Sequence, residues 1–178
     1  LPVPITLVGL VLALMSLQTA SHSAPRHVTT LLVIDGYSIF YMGLIFASTL
    51  IVALLSYGYL ERRSTRPEEF YILLTLAACG SAVLAAATHF ASFFLGLEIL
   101  SVSLYALVGY LRENVPSVEA ALKYLVLAGV SSAFLLFGMA LVYAELGTME
   151  FAKITAADFA AGSPAMVLYL AALALIIV

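Results

Sequence analysis

Two charged residues lie inside apolar stretches that are long enough to cross a bilayer. Glu98 sits within the apolar run 93–100, and Lys123 lies about two turns into the next apolar stretch. A carboxylate at the centre of a membrane helix costs about 3 kcal/mol on insertion scales, so it needs a partner or a proton. Desolvation and pairing shift the pKa of such groups in opposite directions, so a moving partner changes their protonation. The two residues indicate proton or ion handling; the alternative is a pair that only locks two helices together.

Three further polar residues accompany this pair. Glu119 precedes Lys123 by four residues, which places both on one helix face in the favourable order. Tyr124 follows Lys123 directly and is a candidate bridge to Glu98. His89 falls between two apolar stretches, where it is either a solvated loop residue or a point of proton uptake.

Helix connectivity limits direct contact between the two charges. The apolar stretches 90–111 and 117–144 are joined by a short polar segment, so we expect antiparallel neighbouring helices. Glu98 then lies deeper than Lys123 by roughly one to two helical turns. We predict that both side chains point into the bundle and belong to a polar track instead of one tight ion pair. The predicted track comprises Glu98, Lys123 and Glu119, bridged by water, Ser101 or Tyr124.

The elements that position these residues are predicted to be membrane-spanning helices. Hydrophobic residues make up 64% of the 178 positions and charged residues only 10%, whereas soluble domains average about 45–50% and about 25%. A spanning helix needs roughly 20 apolar residues. We therefore predict an all-α, polytopic transmembrane helix bundle forming a single domain over 1–178, a fragment truncated at both ends, with no strand in 36–60, 70–88 or 90–111. The predicted spans are approximately 3–20, 36–60, 69–88, 90–111, 117–144 and 164–178.

The connections carry capping and turn signals. Asp35 is expected to cap the helix that follows it, and Thr65 with Glu68 matches a capping box. The segment 87–89 must be a tight turn, because one uninterrupted helix there would far exceed the membrane thickness. Small residues at four-residue spacing predict close helix packing; they are Ala77, Ser81 and Ala85 in one span and Gly129 and Ala133 in another.

The basic residues are distributed unequally between the two ends of the predicted bundle. Arg62, Arg63, Arg66 and Arg112 lie on one side, and Arg26 and Lys153 lie on the other. Positive residues accumulate on the cytoplasmic side of membrane proteins. Loops 61–69 and 112–117 are therefore predicted to be cytoplasmic.

Several function classes are excluded by what the sequence lacks. The net charge is −3 and no basic stripe is present, which argues against a nucleic-acid partner. One cysteine supports neither a disulfide framework nor a cysteine-based metal site. Nucleotide-binding and metalloprotease motifs are missing as well, so we predict no metal and no cofactor in this chain.

Two motifs in this order resemble a known family. They read His89-Phe-Ala-Ser-Phe-Phe-Leu-Gly-Leu-Glu98 and Val118-Glu119-Ala-Ala-Leu-Lys123-Tyr124. The sequence is similar to the antiporter-like proton-translocating subunits of bacterial respiratory complex I, the NADH:quinone oxidoreductase. The similarity covers nearly the whole chain from about residue 34 onward.

The resemblance implies a parent fold of fourteen helices with two inverted repeats of five, of which this chain forms part of the first. Glu98 and Lys123 match the family's glutamate and lysine on successive helices, and the family's glutamate faces a further lysine beyond residue 178. The implied function is that of a translocase subunit that pumps protons as quinone is reduced, multi-pass in the bacterial inner membrane. NADH, flavin, iron–sulfur clusters and quinone would belong to partner subunits, and the partners would be other membrane-arm subunits and the lipid bilayer. The alternatives are a subunit of a multisubunit cation/proton antiporter or membrane-bound hydrogenase, and a structural scaffold.

Overall fold

The computed structural model describes residues 2–63, 67–157 and 164–177. Long helices alternate with short connections, and one two-stranded ribbon interrupts them. The elements are α1 Pro2–Ser21, β1 Arg26–His27, β2 Val33–Ile34, α2 Gly36–Arg63, α3 Pro67–Ala86, α4 Phe90–Val108, α5 Val115–Leu146, α6 Phe151–Thr155 and α7 Pro164–Ile177. Arg66 and the Thr65 half of the predicted capping box lie outside the described residues.

The predicted all-α membrane-spanning bundle is confirmed. Within the described residues, α1 to α5 are each long and apolar enough to cross a bilayer. Helix is the expected conformation for such runs, because lipid offers no hydrogen bonds and a helix satisfies its own backbone. The sixth predicted span is occupied by α7, an apolar helix of 14 residues.

In the part of the chain that the structure describes, strand pairing occurs only in the connections between helices. The β1–β2 ribbon is antiparallel, with Arg26 opposite Ile34 and His27 opposite Val33. This ribbon is not predictable from the sequence, because two-residue strands are too short to show an alternating pattern. The described parts of 36–60, 70–88 and 90–111 contain no strand, and Ala87 makes only an isolated bridge with Leu32.

The predicted tight turn at 87–89 is confirmed, and its backbone ties three connections together. The N–H of Thr88 donates to the carbonyl of Leu31 at 3.1 Å. On the other side, the N–H of Phe90 donates to Met149 O and the N–H of Phe151 donates to Thr88 O, both at 3.0 Å. The connection before α2 and the one after α5 are thus both fixed to the α3–α4 turn.

Asp35 caps α2 as the sequence predicts. Its Oδ1 accepts from the N–H of Ser38 at 2.7 Å, and the N–H of Asp35 donates to Ser38 Oγ at 2.9 Å. The two residues thus satisfy each other's backbone donors reciprocally, in the manner of a capping box. The pKa of Asp35 is lowered, chiefly by the hydrogen bond from the Ser38 N–H, while desolvation opposes that shift.

Helices α3 and α4 approach each other at two glycines. A Cβ on Gly80 would lie 2.7 Å from Leu100 N and 2.9 Å from Gly96 O. A Cβ on Gly96 would in turn lie 3.0 Å from the carbonyl oxygen of Gly80. In lipid, helix association depends on such close packing of small residues, so this contact sets the position of α4.

The small residues singled out in the sequence do not all make these contacts. Ala77 is buried in α3, but Gly129 in α5 has nothing within 4 Å of its Cβ position. The close approach of α5 occurs instead at Gly138, where a Cβ would lie 2.7 Å from Ala172 O of α7. No described residue of this chain packs at Gly129, since spacing alone does not show which face a neighbour covers.

Two clusters of buried apolar side chains lie on either side of the α3–α4 pair. The first joins α1, α2 and α3 through Leu10, Ala53, Leu60 and Tyr71. The second joins α4, α5, α6 and α7 through Phe90, Leu135, Met139, Val142, Ile154 and Ala172. Only the C-terminal half of α5 contributes to the second cluster, which leaves its N-terminal half uncovered on one side.

Replacing Gly80 with alanine is expected to destabilise the protein by about 1–3 kcal/mol, the range for overpacking a close contact. The new Cβ meets two backbone atoms, which cannot rotate away. Gly129→Ala is the matched control, because it makes the same change of about 1 kcal/mol in helix propensity in open space. Thermal unfolding of the purified membrane protein would measure the difference, and equal stability of the two variants would contradict the packing role.

Replacing Asp35 with alanine is expected to cost about 1 kcal/mol through loss of the cap. Because the folded-state pKa is lowered, the carboxylate's contribution is complete above its ordinary value of 3.8 and disappears as the pH falls below it. Unfolding measured at pH 7 and near pH 3 checks both statements. Asp35→Asn, which keeps a capping oxygen, should retain most of the stability at pH 7 and lose the pH dependence.

Candidate functional site

The carboxylate of Glu98 is held by a hydroxyl group from the neighbouring helix. Glu98 is the ninth of the 19 residues of α4, and Ser132 is the eighteenth of the 32 residues of α5. Both side chains are half-buried, and Ser132 Oγ–H donates a short hydrogen bond to Glu98 Oε1. A polar contact therefore joins the middles of two membrane-spanning helices.

The position of this contact determines its strength. Away from water, a hydrogen bond to an ionised group is roughly twice as strong as one between neutral groups. Without that bond, the carboxylate of Glu98 would lie unpaired in the middle of the membrane, where a charged group is costly. The Glu98–Ser132 contact is thus a polar link between the middles of α4 and α5.

Lys123 does not join this contact. Its Nζ lies 2.5 Å from Glu119 Oε1, and the two side chains are 71% and 60% exposed. Within the described residues Lys123 therefore faces outward together with Glu119, and its predicted place inside the complete bundle stays a prediction. Ser132 follows Lys123 by nine residues, which is two and a half turns. The two side chains therefore point to opposite sides of α5, about 13 Å apart along its axis.

The Glu119–Lys123 pair lies near one end of a helix that exceeds the hydrocarbon thickness. Thirty-two residues extend about 48 Å, against about 30 Å of bilayer core. Lys123 lies about 12 Å from the start of α5, so its ammonium group can reach the interface along its aliphatic stem. Exposed helical pairs of this kind contribute only about 0.3–0.5 kcal/mol, so this pair is not needed for the fold.

The predicted bridges also lie elsewhere. Ser101 Oγ–H donates to the backbone carbonyl of Glu98 at 3.2 Å, not to its carboxylate. The ring of Tyr124 packs edge-on against Tyr105 of α4, with centroids 6.5 Å apart. The polar track is thus divided into Glu98–Ser132 on one face of α5 and Glu119–Lys123 on the other.

Ser132 was missed because it is a common residue in an apolar stretch. A signal for it exists in the seven-residue spacing of Val118, Leu125, Ser132 and Met139, which places all four on one face of α5. Met139 is buried on that face. Since this is the face that meets α4, the one polar member of the stripe could have been identified as the partner of a glutamate on α4.

His89 has a structural task at the opposite end of α4. It is the N-cap of the helix, and its Nδ1 accepts from the N–H of Ala91 at 3.1 Å. It also lines a cavity of about 890 Å³ with Tyr143, Glu150 and Lys153, where Lys153 Nζ lies 2.8 Å from Glu150 Oε1. A role of His89 in proton uptake stays a prediction.

Among the residues that the structure describes, no three His, Cys, Asp or Glu side chains gather closely enough to hold a metal ion. The sequence-based assignment of all cofactors to partner subunits stays a prediction.

A family model that matches residues 87–178 decides the family. The model describes the transmembrane region of the NADH:quinone oxidoreductase/Mrp antiporter proteins, and the match covers just over half of the chain. The chain belongs to this family. The matched residues include His89, Glu98, Lys123 and Ser132, so every side chain of the candidate site lies within the family region.

A curated relative from Nitrosospira multiformis carries the name NADH-quinone oxidoreductase subunit N. It is 53% identical over 173 residues, which is 97% of this chain and 34% of the relative. The resemblance drawn from the two motifs is thereby confirmed. The chain spans about a third of the length of this relative.

Solved structures agree on the fold. A chain of respiratory complex I from Thermus thermophilus superposes with a TM-score of 0.80 and 33% identity, covering 98% of this chain and 36% of that one. A chain of an archaeal membrane-bound sulfane sulfur reductase superposes with a TM-score of 0.81 over 98% of this chain and 38% of that one. At 23% identity, the second similarity shows the fold alone. The family and the apolar helices make the chain a multi-pass bacterial membrane protein.

Replacing Ser132 with alanine is expected to destabilise the α4–α5 contact by about 1–3 kcal/mol, because it removes the hydroxyl partner of a half-buried carboxylate. Ser131→Ala is the control, since Ser131 is exposed on the same helix. Thermal unfolding of the intact subunit would report the loss, and the infrared carboxyl band of Glu98 should shift only in Ser132→Ala. An unchanged band in that variant would show that the two side chains do not interact.

Proposed function

We propose that this chain is part of a proton-translocating membrane subunit of an NADH:quinone oxidoreductase. The observation that carries the proposal is the mid-membrane carboxylate of Glu98, held by a hydroxyl group from the next helix. A relative 53% identical, named NADH-quinone oxidoreductase subunit N, favours this function over a cation/proton antiporter or a hydrogenase. In the proposal, proton translocation is coupled to quinone reduction elsewhere in the complex.

The Glu98–Ser132 contact suits a group that changes protonation. A serine hydroxyl both donates and accepts hydrogen bonds. It donates to the carboxylate when Glu98 is ionised and accepts from the carboxylic acid when Glu98 is protonated. Both states keep a partner without movement of either helix, so the proton can come and go without leaving an unpaired polar group in the membrane.

The Glu119–Lys123 pair is proposed to form a second proton-handling station. The ammonium of Lys123 and the carboxylate of Glu119 lie within hydrogen-bond distance, so a proton can pass between the two side chains. This pair faces away from Glu98 and is largely uncovered by the chain. Exchange between the two stations therefore has to pass around α5, or through groups from the rest of the subunit.

The wider assignments belong to the same proposal. The chain forms part of the first of two inverted repeats, and loops 61–69 and 112–117 face the cytoplasm from a bacterial inner membrane. Partner subunits of the membrane arm pack around it. NADH, flavin, iron–sulfur clusters and quinone reside in other subunits of the same complex, so the chain acts as a translocase component without a redox site of its own.

Replacing Glu98 with glutamine in the intact complex is expected to reduce proton pumping by at least tenfold, because the amide cannot exchange a proton. Glu98→Asp, which keeps a shortened carboxyl group, should retain part of the activity. Glu113→Gln removes an exposed carboxylate from the α4–α5 connection and serves as the control. Pumping would be measured with a pH-sensitive dye in proteoliposomes, alongside the rate of NADH oxidation.

The outcomes separate the candidate functions. Full pumping by Glu98→Gln would refute a proton-handling role and leave a structural role for this residue. If Glu98→Gln instead abolishes sodium-dependent proton exchange in membranes that contain no NADH-oxidising partner, the result would favour an antiporter. Lys123→Met tests the second station by the same assay, and its retention of full activity would confine the site to Glu98.

A further inference from the structure

A groove opens between α3, α4 and α5 at the end where α4 stops and α5 begins. Its volume is about 600 Å³, within the range of sites that bind small molecules. Its walls are mainly apolar and include Ile72 and Leu73 of α3, Ala106 of α4, and Leu122 and Leu125 of α5. The groove therefore offers an apolar molecule a place between helices.

One ion pair stands at the mouth of this groove. Arg112, in the connection after α4, donates from Nη2 to Glu69 Oε2 of α3 at 3.0 Å. The arginine side chain is 75% exposed and the glutamate side chain is 33% exposed. A cation and an anion are thus held side by side where the helices end, which is the level of lipid headgroups.

We infer that this groove binds one phospholipid with a zwitterionic headgroup bearing a primary ammonium, namely phosphatidylethanolamine. The guanidinium of Arg112 presents a fork of five donors, which matches phosphate geometry. A carboxylate has about four acceptor sites, so Glu69 can accept a hydrogen bond from the lipid ammonium in addition to the partners it already has, Arg112 among them. One acyl chain then fills the apolar groove below.

Charge complementarity selects this lipid over other amphiphiles. A headgroup with net negative charge gains from Arg112 but is repelled by Glu69. A choline headgroup has no N–H to donate to Glu69. A quinone is neutral and gains little from an ion pair at the mouth. Only a headgroup with one phosphate and one ammonium matches both side chains.

The site is connected to the candidate functional site through shared helix faces. Tyr105, which lines the groove, follows Glu98 by seven residues and lies on the same face of α4. Leu125, another lining residue, precedes Ser132 by seven residues on the same face of α5. An acyl chain in the groove therefore continues the apolar packing that surrounds the Glu98–Ser132 contact. The inference about the lipid does not depend on the proposed function.

The test uses the complete membrane protein, purified in mild detergent from its native membrane. Native mass spectrometry and extracted-lipid analysis would count the retained phosphatidylethanolamine molecules. Ala106→Phe is expected to remove one of them by filling the groove. Val126→Phe, the same type of enlargement at a side chain that is 64% exposed, is expected to retain it.

Headgroup recognition is tested separately at the rim. Arg112→Gln and Glu69→Gln should each weaken retention roughly tenfold or more, because each removes a charge-assisted hydrogen bond. Glu113→Gln removes a carboxylate that does not line the groove, so it is the charge-matched control and should leave retention unchanged. If Ala106→Phe fails to accumulate, the exposed Arg112→Gln variant decides the matter, since it leaves the helix packing intact.

Three results would overturn the inference. One is an unchanged lipid count in both Ala106→Phe and Arg112→Gln. Another is equal retention of phosphatidylcholine and phosphatidylethanolamine after exchange in nanodiscs of each lipid. The third is a high-resolution map of the complex in which a helix of another segment, or a quinone, occupies the groove. Density for a two-chain lipid with its headgroup between Glu69 and Arg112 would support the inference directly.

Discussion

The contact between Gly80 and Gly96 is the constraint on which much of this bundle depends. Lipid tails are as apolar as leucine, so burial of apolar surface does little to draw membrane helices together. What holds α3 against α4 is the dense packing that becomes possible when neither helix has a Cβ at the point of closest approach. Because α4 also carries Glu98, two residues after Gly96, this contact fixes where the carboxylate lies.

Placement of Glu98 has a consequence for α5. A carboxylate at the middle of the membrane must find a polar partner, and the structure supplies the hydroxyl of Ser132. Close packing on one side of α4 and a hydrogen bond on another thereby hold three helices in register. The apolar stripe that runs through Leu125 and Met139 packs without polar groups. The hydroxyl of Ser132 is therefore the group that matches one position of α5 to Glu98.

Much of the fold is readable from the sequence, because membrane helices follow from composition. Long uncharged runs predict α1 to α5, and Asp35 predicts the start of α2 from the chemistry of one side chain. The glycine contacts are harder to predict, because many small residues occur in these helices and their partners depend on rotation about each axis. Gly129 and Gly138 lie in the same helix, but among the described residues a neighbouring helix packs only at Gly138.

The residues of the candidate site also differ in how readily the sequence reveals them. Glu98 is conspicuous because charge is rare in such stretches, whereas Ser132 is hidden among similar residues. The sequence places Lys123 by its depth in the membrane, but its angle around α5 becomes clear only in the structure. Once Ser132 is known to be the partner of Glu98, the nine-residue spacing between Lys123 and Ser132 places Lys123 on the opposite side of α5. Helical phase, more than depth, decides which charges can meet.

The turn at 87–89 is tied to its neighbours entirely by main-chain atoms. These bonds use only N–H and carbonyl groups, so they do not depend on the side chains at the positions involved. The positions are Leu31, Thr88, Phe90, Met149 and Phe151. A change of side chain at these positions leaves the main-chain bonds in place unless proline replaces a donor, although the buried ring of Phe90 and the capping side chain of His89 add constraints of their own. Insertion or deletion of even one residue would shift the donors out of alignment. The length of each connection is thus a constraint at this end of the bundle, in addition to the identity of the capping and buried side chains.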